Sequence, residues 1–243
     1  MTADKVIERK IDELRNKIRH HEHRYYVLND PEISDTEFDR LMEQLLGIEK
    51  AYPELVTSDS PTQRVGGKPA DEFRRVPHST RMLSLDNSYS VEEIREFDRR
   101  VRGLSGQLQV SYTAELKLDG ISMSLVYEGG MLTQAVTRGD GQEGEEVTGN
   151  VRTIRSVPLR VEEQKLAGIG KPSRFEVRGE VIITREAFEK LNAKREAAGE
   201  ARFANPRNSA AGSIRLLDPV LVARRNLNFY AYGLLAGGRV PLA

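Results

Sequence analysis

The sequence contains no cysteine among its 243 residues, and neither sign of charge is in excess. Without cysteine, the chain has no disulfide, no thiolate zinc ligand and no cysteine nucleophile. Lys plus Arg and Asp plus Glu are both 37, so any contact with nucleic acid must come from local basic clusters. No run reaches the roughly 18 apolar residues of a membrane span, and the N-terminus MTADKVIERK lacks a signal-peptide core. We therefore expect a cytoplasmic protein that does not contact a membrane.

The first 52 residues have the pattern of a helical hairpin. Apolar and aromatic residues recur every three or four positions from Ile7 to Leu28, as on one face of an amphipathic helix. Pro31 ends this pattern because it cannot continue the hydrogen-bond ladder. Ser34 and Glu37 then predict a capping box at the start of a second helix.

A linker separates this hairpin from the rest of the chain. Residues 53 to 70 are polar and rich in Pro, Gly and Ser, which is typical of a connection between domains. We divide the chain there into residues 1–65, the helical module with its linker, and residues 66–243.

The second part of the chain alternates between strand and helix patterns. From residue 108 the apolar period is two, and strands are predicted over QLQVSYTAELKL, ISMSLVYE, MLTQAVTR, RFEVRGEVIIT and NLNFYAYGLLA. Gly129-Gly130 predicts a hairpin turn between the second and third of these. Ser90, with Glu93 closing a capping box, and Thr184 are predicted to begin helices. The fold class is α+β, with largely antiparallel strands.

The stretch AELKLDG sets a lysine between two acids. Glu115, Lys117 and Asp119 fall on one face if this stretch is a strand, with leucines on the other face and Gly120 directly after. A solvated, ion-paired face is the common explanation for such a pattern. A lysine attacks only as the neutral amine, which partial burial favours and flanking carboxylates oppose. If Lys117 is a nucleophile, a metal ion or bound cofactor must offset these acids.

Three other stretches could belong to the same site. RFEVRGEVII places Glu176, Arg178 and Glu180 on one face, which predicts either an ion-paired surface or a second wall of a polar cleft. TRGDGQEGEE could hold phosphate through backbone N–H groups and Arg138, or be a flexible loop. The arginine-containing stretch FANPRNSAAGSIRLLD is either a DNA contact or solvated surface. On the last predicted strand, Tyr230 and Tyr232 could stack on a base, although we expect at least one of them in the core.

The helical hairpin combines aromatic rings with carboxylates. Tyr25 and Tyr26 end its first helix, while Asp35 and Asp39 share a face of the second, next to Phe38. This group could bind a cationic ring, or the acids could simply stabilise a helix N-terminus. The neighbouring His20, His21 and His23 are predicted to be polar surface rather than a metal site.

These motifs together resemble the bacterial NAD⁺-dependent DNA ligases. ELKLDG is similar to the Lys-x-Asp-Gly signature of the covalent nucleotidyltransferases, and by itself it is a weak signal. The resemblance becomes specific through YYVLNDPEISDTEFDRLM, PELVTSDSPTQRVGG, MLSLDN, TRGDGQEGEEVTGNVRTIRSVP, EVRGEV and FANPRNSAAGSIRLLD, which follow the family's order. The resemblance covers essentially the whole chain.

The resemblance implies a fold and a reaction. The fold is a helical module that binds nicotinamide mononucleotide (NMN), followed by a nucleotidyltransferase core of the ATP-grasp-like type. Lys117 would attack the adenylyl phosphorus of NAD⁺, release NMN and carry AMP for sealing nicks in duplex DNA. NAD⁺ and Mg²⁺ would be the cofactors, nicked duplex DNA the partner of the full-length enzyme, and the protein a monomer.

The resemblance also implies a role for individual residues. Asp119 would support the metal ion and the reacting lysine. The adenosine half of NAD⁺ would be bound by Ser84, Leu85, Glu115, Leu116, Arg138, Glu180 and Tyr232. The NMN half would be bound by Tyr25, Tyr26, Asp35, Phe38 and Asp39. Arg207 and Arg215 would contact phosphates or DNA.

The sequence departs from the family pattern in two ways. Tyr26 and Phe38 stand where members of the family often have His and Tyr, which keeps a ring but changes its hydrogen bonding. The family's nucleotidyltransferase domain also continues with further strands, two lysines and a metal-binding Asp. We therefore expect a C-terminally incomplete core, with zinc only in the missing downstream region and without nick sealing by this chain alone. The alternatives are a non-catalytic NAD⁺-binding fragment and an ATP-dependent covalent nucleotidyltransferase.

Overall fold

A computed structural model of the chain describes residues 3–28, 30–65 and 72–237, with the backbone alone at residues 3, 4, 35, 163 and 169. Helices and strands both contribute, which confirms the α+β class. The helices are α1 (Ala3–Tyr26), α2 (Asp35–Ala51), α3 (Val91–Ser105), α4 (Thr148–Arg152), α5 (Arg185–Ala197), α6 (Pro206–Ile214) and α7 (Pro219–Ala223). The strands are β1 (Arg75–Pro77), β2 (Ile121–Glu128), β3 (Met131–Thr137), β4 (Glu143–Glu145), β5 (Arg174–Ile183) and β6 (Leu227–Ala236). In the part of the chain that the structure describes, no helix is both long and apolar enough to cross a membrane.

Helices α1 and α2 form the predicted hairpin. Ile11, Leu14, Ile18 and Leu45 are buried between them, so the three-four spacing of the sequence places one apolar stripe inside. The predicted capping box is confirmed, because Ser34 accepts from the Glu37 amide and the Glu37 carboxylate accepts from the Ser34 amide. Such a cap satisfies two N–H groups that a helix start leaves free.

The predicted linker is packed structure over residues 53–65, which corrects the sequence interpretation. Two short 3₁₀ helices, Pro53–Leu55 and Pro61–Gln63, lie against the hairpin. The Glu49 carboxylate, paired with Arg15 at 2.7 Å, also accepts from Ser60. A buried carboxylate needs such partners, and the polar residues of this stretch supply them. The rest of the predicted linker lies outside the described residues.

A four-stranded antiparallel sheet forms the centre of the second part, with the order β3-β2-β5-β6. The β2–β3 hairpin turns at Gly129 and Gly130, whose φ angles of 56° and 79° are typical of a tight hairpin turn. One face of the sheet carries the hydrophobic core, in which the rings of Tyr127 and Phe175 stack 5.0 Å apart. Burial raises the pKa of Tyr127, whose hydroxyl donates to the carbonyl of Pro158.

The strand predicted over residues 107–118 is absent from the described structure. This stretch has no regular secondary structure, and none of its residues pairs with a strand in the described part of the chain. Leu108 in this stretch is 91% exposed, and the preceding helix α3, in which Leu104 is 90% exposed, has no buried residue. A strand pattern becomes a strand only when a neighbouring strand accepts its hydrogen bonds. The alternation in this stretch was therefore insufficient to predict a strand.

Both helix caps predicted in the second part are confirmed, but the capping box predicted at α3 is not. Thr184 caps α5 as predicted, with its side chain accepting from the Ala187 amide. Ser90 likewise caps α3 by accepting from the Glu93 amide. However, the Glu93 carboxylate accepts from the amide of Tyr89 rather than Ser90, so the predicted box is not closed.

Buried ion pairs join the hairpin to the second part of the chain. The Arg64 guanidinium pairs with Glu22 of α1 at 3.0 Å. It also donates to the carbonyls of Arg152, the last residue of α4, and of Ile154 and Val157 in the segment that follows. Glu22 in turn pairs with Arg155 at 3.0 Å. Because Arg64 and Glu22 are both buried, this network fixes how the hairpin sits on the core.

Candidate functional site

The face of the sheet opposite the core is polar. Strand β5 alternates as predicted, so Glu176, Arg178 and Glu180 share one face while Phe175 packs in the core on the other. Glu176 is only 3% exposed and pairs with Arg178 at 2.7 Å. Burial opposes its ionisation, but hydrogen bonds from Ser79, Arg178 and Ser124 outweigh burial and lower the pKa of Glu176.

The segment of residues 78–85 crosses this polar face. Ser79 donates to Glu176, and Arg178 donates to the carbonyls of Thr80 and Arg81. These contacts attach the segment to β5 and lead the chain toward Ser84 and Leu85. Arg138, at the end of β3, donates to Ser84 Oγ at 2.9 Å. Two predicted site residues, Arg138 and Ser84, are thus brought into direct contact.

Glu180 is next to the start of β2. Its carboxylate accepts from Ser122 Oγ at 2.8 Å and from the Gly120 amide at 3.3 Å. The structure shows why residue 120 is glycine, because a Cβ at this position would lie 2.1 Å from the carbonyl oxygen of Val181. Gly120 therefore allows the close approach of β2 and β5, which brings Glu180 to the chain directly after Asp119.

Tyr230 and Tyr232 both lie at the surface, so the expectation that one fills the core was wrong. They are 49% and 57% exposed. The pairing of β5 with β6 shifts register after Arg178, which places Tyr232 in a bulge. Partial burial raises the pKa of Tyr232; the Glu180 carboxylate adds to this, and a hydrogen bond with Ser122 opposes it.

Lys117 is exposed to solvent. Glu115 is exposed as well, and Leu116 is 90% exposed. The partial burial that would favour a nucleophilic lysine is therefore not observed, because the stretch that carries Lys117 pairs with no strand in the described part. Lys117 is three positions before Gly120, so their Cα atoms lie within about 11 Å of each other. Gly120 in turn donates its amide to the Glu180 carboxylate.

Arg207 and Arg215 both pair with carboxylates close to this face. Arg207 contacts Asp119 at 3.3 Å, and Arg215 contacts Glu145 at 2.7 Å. All four side chains are partly or fully exposed. The contact of Arg207 therefore places α6 next to Asp119, two positions after Lys117.

The glycine-rich loop after β3 uses its own N–H groups. The Asp140 carboxylate accepts from the amides of Gln142 and Glu143, and the Gly141 amide donates to Arg138. Hydrogen bonds from the Glu143 and Gln142 amides lower the pKa of Asp140. In this structure the N–H groups of residues 141–143 therefore donate within the loop, and their binding of a phosphate stays a prediction. Arg138 remains available through its side chain.

A cavity of about 290 Å³ lies at the bend of the helical hairpin. Tyr25, Tyr26, Phe38 and Asp39 line it, whereas the side chain of Asp35 lies outside the described residues. We call this space the hairpin cavity. Its remaining lining residues are His21, Pro31, Glu32, Ile33, Ser34 and Arg155.

Sequence reasoning missed Arg155 as a lining residue of the hairpin cavity. Its guanidinium lies 5.6 Å from the Tyr26 ring centroid and 5.9 Å from that of Phe38. Arg155 follows α4, about 130 residues after Tyr26 in the chain, so no local pattern connects them. His21 was predicted to be surface and instead lies half-buried in the cavity wall, while His20 and His23 are exposed as predicted.

Two family models match the chain. The NAD-dependent DNA ligase adenylation domain matches residues 70–241. The DNA ligase-like N-terminal NAD⁺-binding domain matches residues 4–66. These two matches together cover both the polar face and the hairpin cavity.

Curated relatives match over nearly the whole chain. The DNA ligase of Koribacter versatilis (strain Ellin345) is 54% identical over 242 residues, which are 100% of this chain and 36% of that protein. The DNA ligase of Acidobacterium capsulatum is 57% identical over 224 residues, 92% of this chain and 33% of that protein. The DNA ligase of Thermotoga maritima is 53% identical over 227 residues, 93% of this chain and 32% of that protein. The chain spans about a third of the length of these relatives.

Proposed function

This chain belongs to the NAD-dependent DNA ligases, and we propose that it binds NAD⁺ across two sites and transfers AMP to Lys117. The hairpin cavity would hold the NMN half, and the polar face of the sheet would hold the adenosine half. The composition of the hairpin cavity is the observation that carries this proposal.

The hairpin cavity has the chemistry that NMN requires. NMN has a cationic aromatic ring, a ribose and a phosphate. Tyr25, Tyr26 and Phe38 offer ring faces, on which a cation is held with about 0.5–2 kcal/mol. Asp39 offers a carboxylate, and Arg155 is a cation that can pair with the phosphate. All three kinds of group line one cavity.

The polar face has groups suited to adenosine. Glu180 has a carboxylate that can accept from ribose hydroxyls, and Tyr232 presents a partly exposed ring for stacking. Arg138 and Ser84 lie together beside them, with Leu85, Glu115 and Leu116 as further predicted contacts. Arg207 and Arg215 would exchange their carboxylate partners for phosphate oxygens.

Lys117 would be the nucleophile. Its neutral amine would form an N–P bond to the adenylyl phosphorus, with cleavage of the bond to the bridging oxygen, release of NMN and loss of one proton from the amine. Mg²⁺, when bound, supplies positive charge at the phosphate oxygens. Asp119 is the residue that would hold it, since Mg²⁺ is often bound by one or two carboxylates together with substrate phosphates.

The exposed position of Lys117 favours a second candidate function, NAD⁺ binding without AMP transfer. An amine exposed to water beside Glu115 and Asp119 lacks the partial burial that would favour attack. We propose that transfer therefore requires residues 108–119 to close over bound nucleotide.

The remaining features of the proposal concern the whole protein. We propose an ATP-grasp-like core over residues 66–243 and an NMN-binding module over residues 1–65. Sealing of nicks in duplex DNA, action as a monomer and a cytoplasmic location belong to the same proposal. The relatives' printed name, DNA ligase, supports the sealing of nicks.

Isothermal titration calorimetry with NAD⁺, NMN, AMP and ATP tests the two-site proposal. We expect NAD⁺ and NMN to bind, and Tyr25→Ala to weaken both roughly two- to thirty-fold without changing AMP binding. Phe97→Ala is a matched control, because Phe97 in α3 is as exposed as Tyr25, at 47%, and does not line the hairpin cavity. ATP binding that exceeds NAD⁺ binding, with no effect of Tyr25→Ala, would support the ATP-dependent alternative instead.

A further inference from the structure

Three metal-ligating side chains converge beside the hairpin cavity. His20 and His21 lie near the end of α1, and Glu32 lies in the turn that leads to α2. His20 Nε2 is 2.6 Å from Glu32 Oε2, and His21 Nδ1 is 3.8 Å from the same oxygen. All three ligand atoms lie within 4.8 Å of one another. Among the described residues, this is the one group of three such side chains.

The ring nitrogen of His21 lacks a partner. His21 Nδ1 is buried and makes no hydrogen bond to any described residue. A buried polar atom without a partner destabilises the fold. An unpaired nitrogen that lies beside a carboxylate oxygen and a second imidazole has the position of a metal ligand.

Other contacts orient Glu32 toward the two histidines. Arg24 pairs with the second oxygen, Glu32 Oε1, at 3.2 Å, and also pairs with Asp30. This leaves Oε2 facing the imidazoles. Arg24 thus orients the carboxylate as an outer-shell partner orients a ligand at metal sites.

We propose that His20, His21 and Glu32 bind a divalent transition metal ion of the Zn²⁺ class. Two imidazoles and one carboxylate suit Zn²⁺ better than Mg²⁺ or Ca²⁺, which prefer oxygen ligands. With metal–ligand distances of about 2.0–2.2 Å, tetrahedral ligands lie roughly 3.4 Å apart. The distance from His20 to Glu32 would widen, and the distance from His21 to Glu32 would close slightly. Rotation of these partly exposed side chains allows both changes.

The ion would replace the hydrogen bond between His20 and Glu32. Water would complete the coordination shell. Since His21 and Glu32 also line the hairpin cavity, the bound ion would fix part of its wall.

Calorimetric titration of the untagged 243-residue chain with ZnCl₂ tests this proposal. We expect one saturable site. His20→Ala, His21→Ala and Glu32→Gln should each weaken binding at least about tenfold, since loss of even an outer-shell partner costs 10- to 100-fold. Co²⁺ should bind the same site and give visible absorption from its d electrons.

His23→Ala is the matched control, because His23 is an exposed histidine of the same helix outside the cluster. It should keep the wild-type affinity. Far-UV circular dichroism will identify any variant that fails to fold, and Glu32→Gln, which keeps the side-chain size, then decides. Absence of a saturable site would overturn the proposal, and so would equal Zn²⁺ affinity in wild type and Glu32→Gln.

Discussion

Replacing Arg64 by alanine should partly detach the helical hairpin from the core. The Arg64 side chain is 8% exposed, and that of its partner Glu22 is 4% exposed. The substitution removes the ion pair and leaves Glu22 with Arg155 alone. It also removes the donor for the carbonyls of residues 152, 154 and 157.

Breaking a buried pair by removing one partner costs about 3–5 kcal/mol. Glu22 keeps one cation, so we expect the lower end of this range, about 3 kcal/mol in the free energy of unfolding. For a chain of this size, each kcal/mol lowers Tm by about 2–4 °C, which gives a decrease of roughly 6–12 °C. The chain has no tryptophan, so far-UV circular dichroism is the suitable measurement for both thermal and urea unfolding.

Arg9→Ala provides the control, because Arg9 pairs with Glu13 on the surface, where the two side chains are 73% and 58% exposed. An exposed pair of this kind contributes at most about 0.5 kcal/mol. If Arg64→Ala and Arg9→Ala have the same effect on Tm, the buried network does not hold the hairpin to the core.

Two further substitutions test the polar face. The pKa of Glu176 is lower in the folded protein than its ordinary value. Its ion pair therefore stabilises the fold at pH values above about 4.3, the pKa of an unfolded glutamate, and this stabilisation is lost as the pH falls through the lower pKa of the folded state. The difference in unfolding free energy between wild type and Glu176→Gln should therefore shrink below about pH 4 in urea titrations; a difference that is independent of pH would contradict this. Gly120→Ala should destabilise by about 1–3 kcal/mol, since its Cβ would clash with the Val181 carbonyl. Gly103→Ala, in α3 with nothing within 4 Å, should instead stabilise by about 0.5–1 kcal/mol, and equal effects of the two changes in thermal unfolding would refute the packing argument.

Local patterns predicted the elements whose partners are close in sequence. The capping box of Ser34 and Glu37, the turn at Gly129-Gly130 and the alternation of β5 depend on residues within one or two turns or on an adjacent strand. Their geometry follows from backbone rules that short stretches obey. For these elements the sequence was sufficient.

Features that depend on distant residues were not predictable in this way. The alternation over residues 108–119 could not reveal that no strand in the described part pairs with it. The packing of residues 53–65 depends on buried carboxylates of α1 and α2, and the place of Arg155 in the hairpin cavity depends on the Glu22 network. The surface positions of Tyr230 and Tyr232 depend on how β6 pairs with β5, which the tyrosine spacing does not encode.

The identity of the nucleophile is the central claim, and peptide mapping by mass spectrometry tests it most directly. After incubation of the chain with NAD⁺ and Mg²⁺, we predict AMP on the peptide that contains Lys117, formed slowly because the amine is exposed. We predict no adduct with ATP, and none in Lys117→Ala, which should keep its circular dichroism spectrum because Lys117 packs against no core. AMP on another residue, or an adduct that survives Lys117→Ala, would contradict the account.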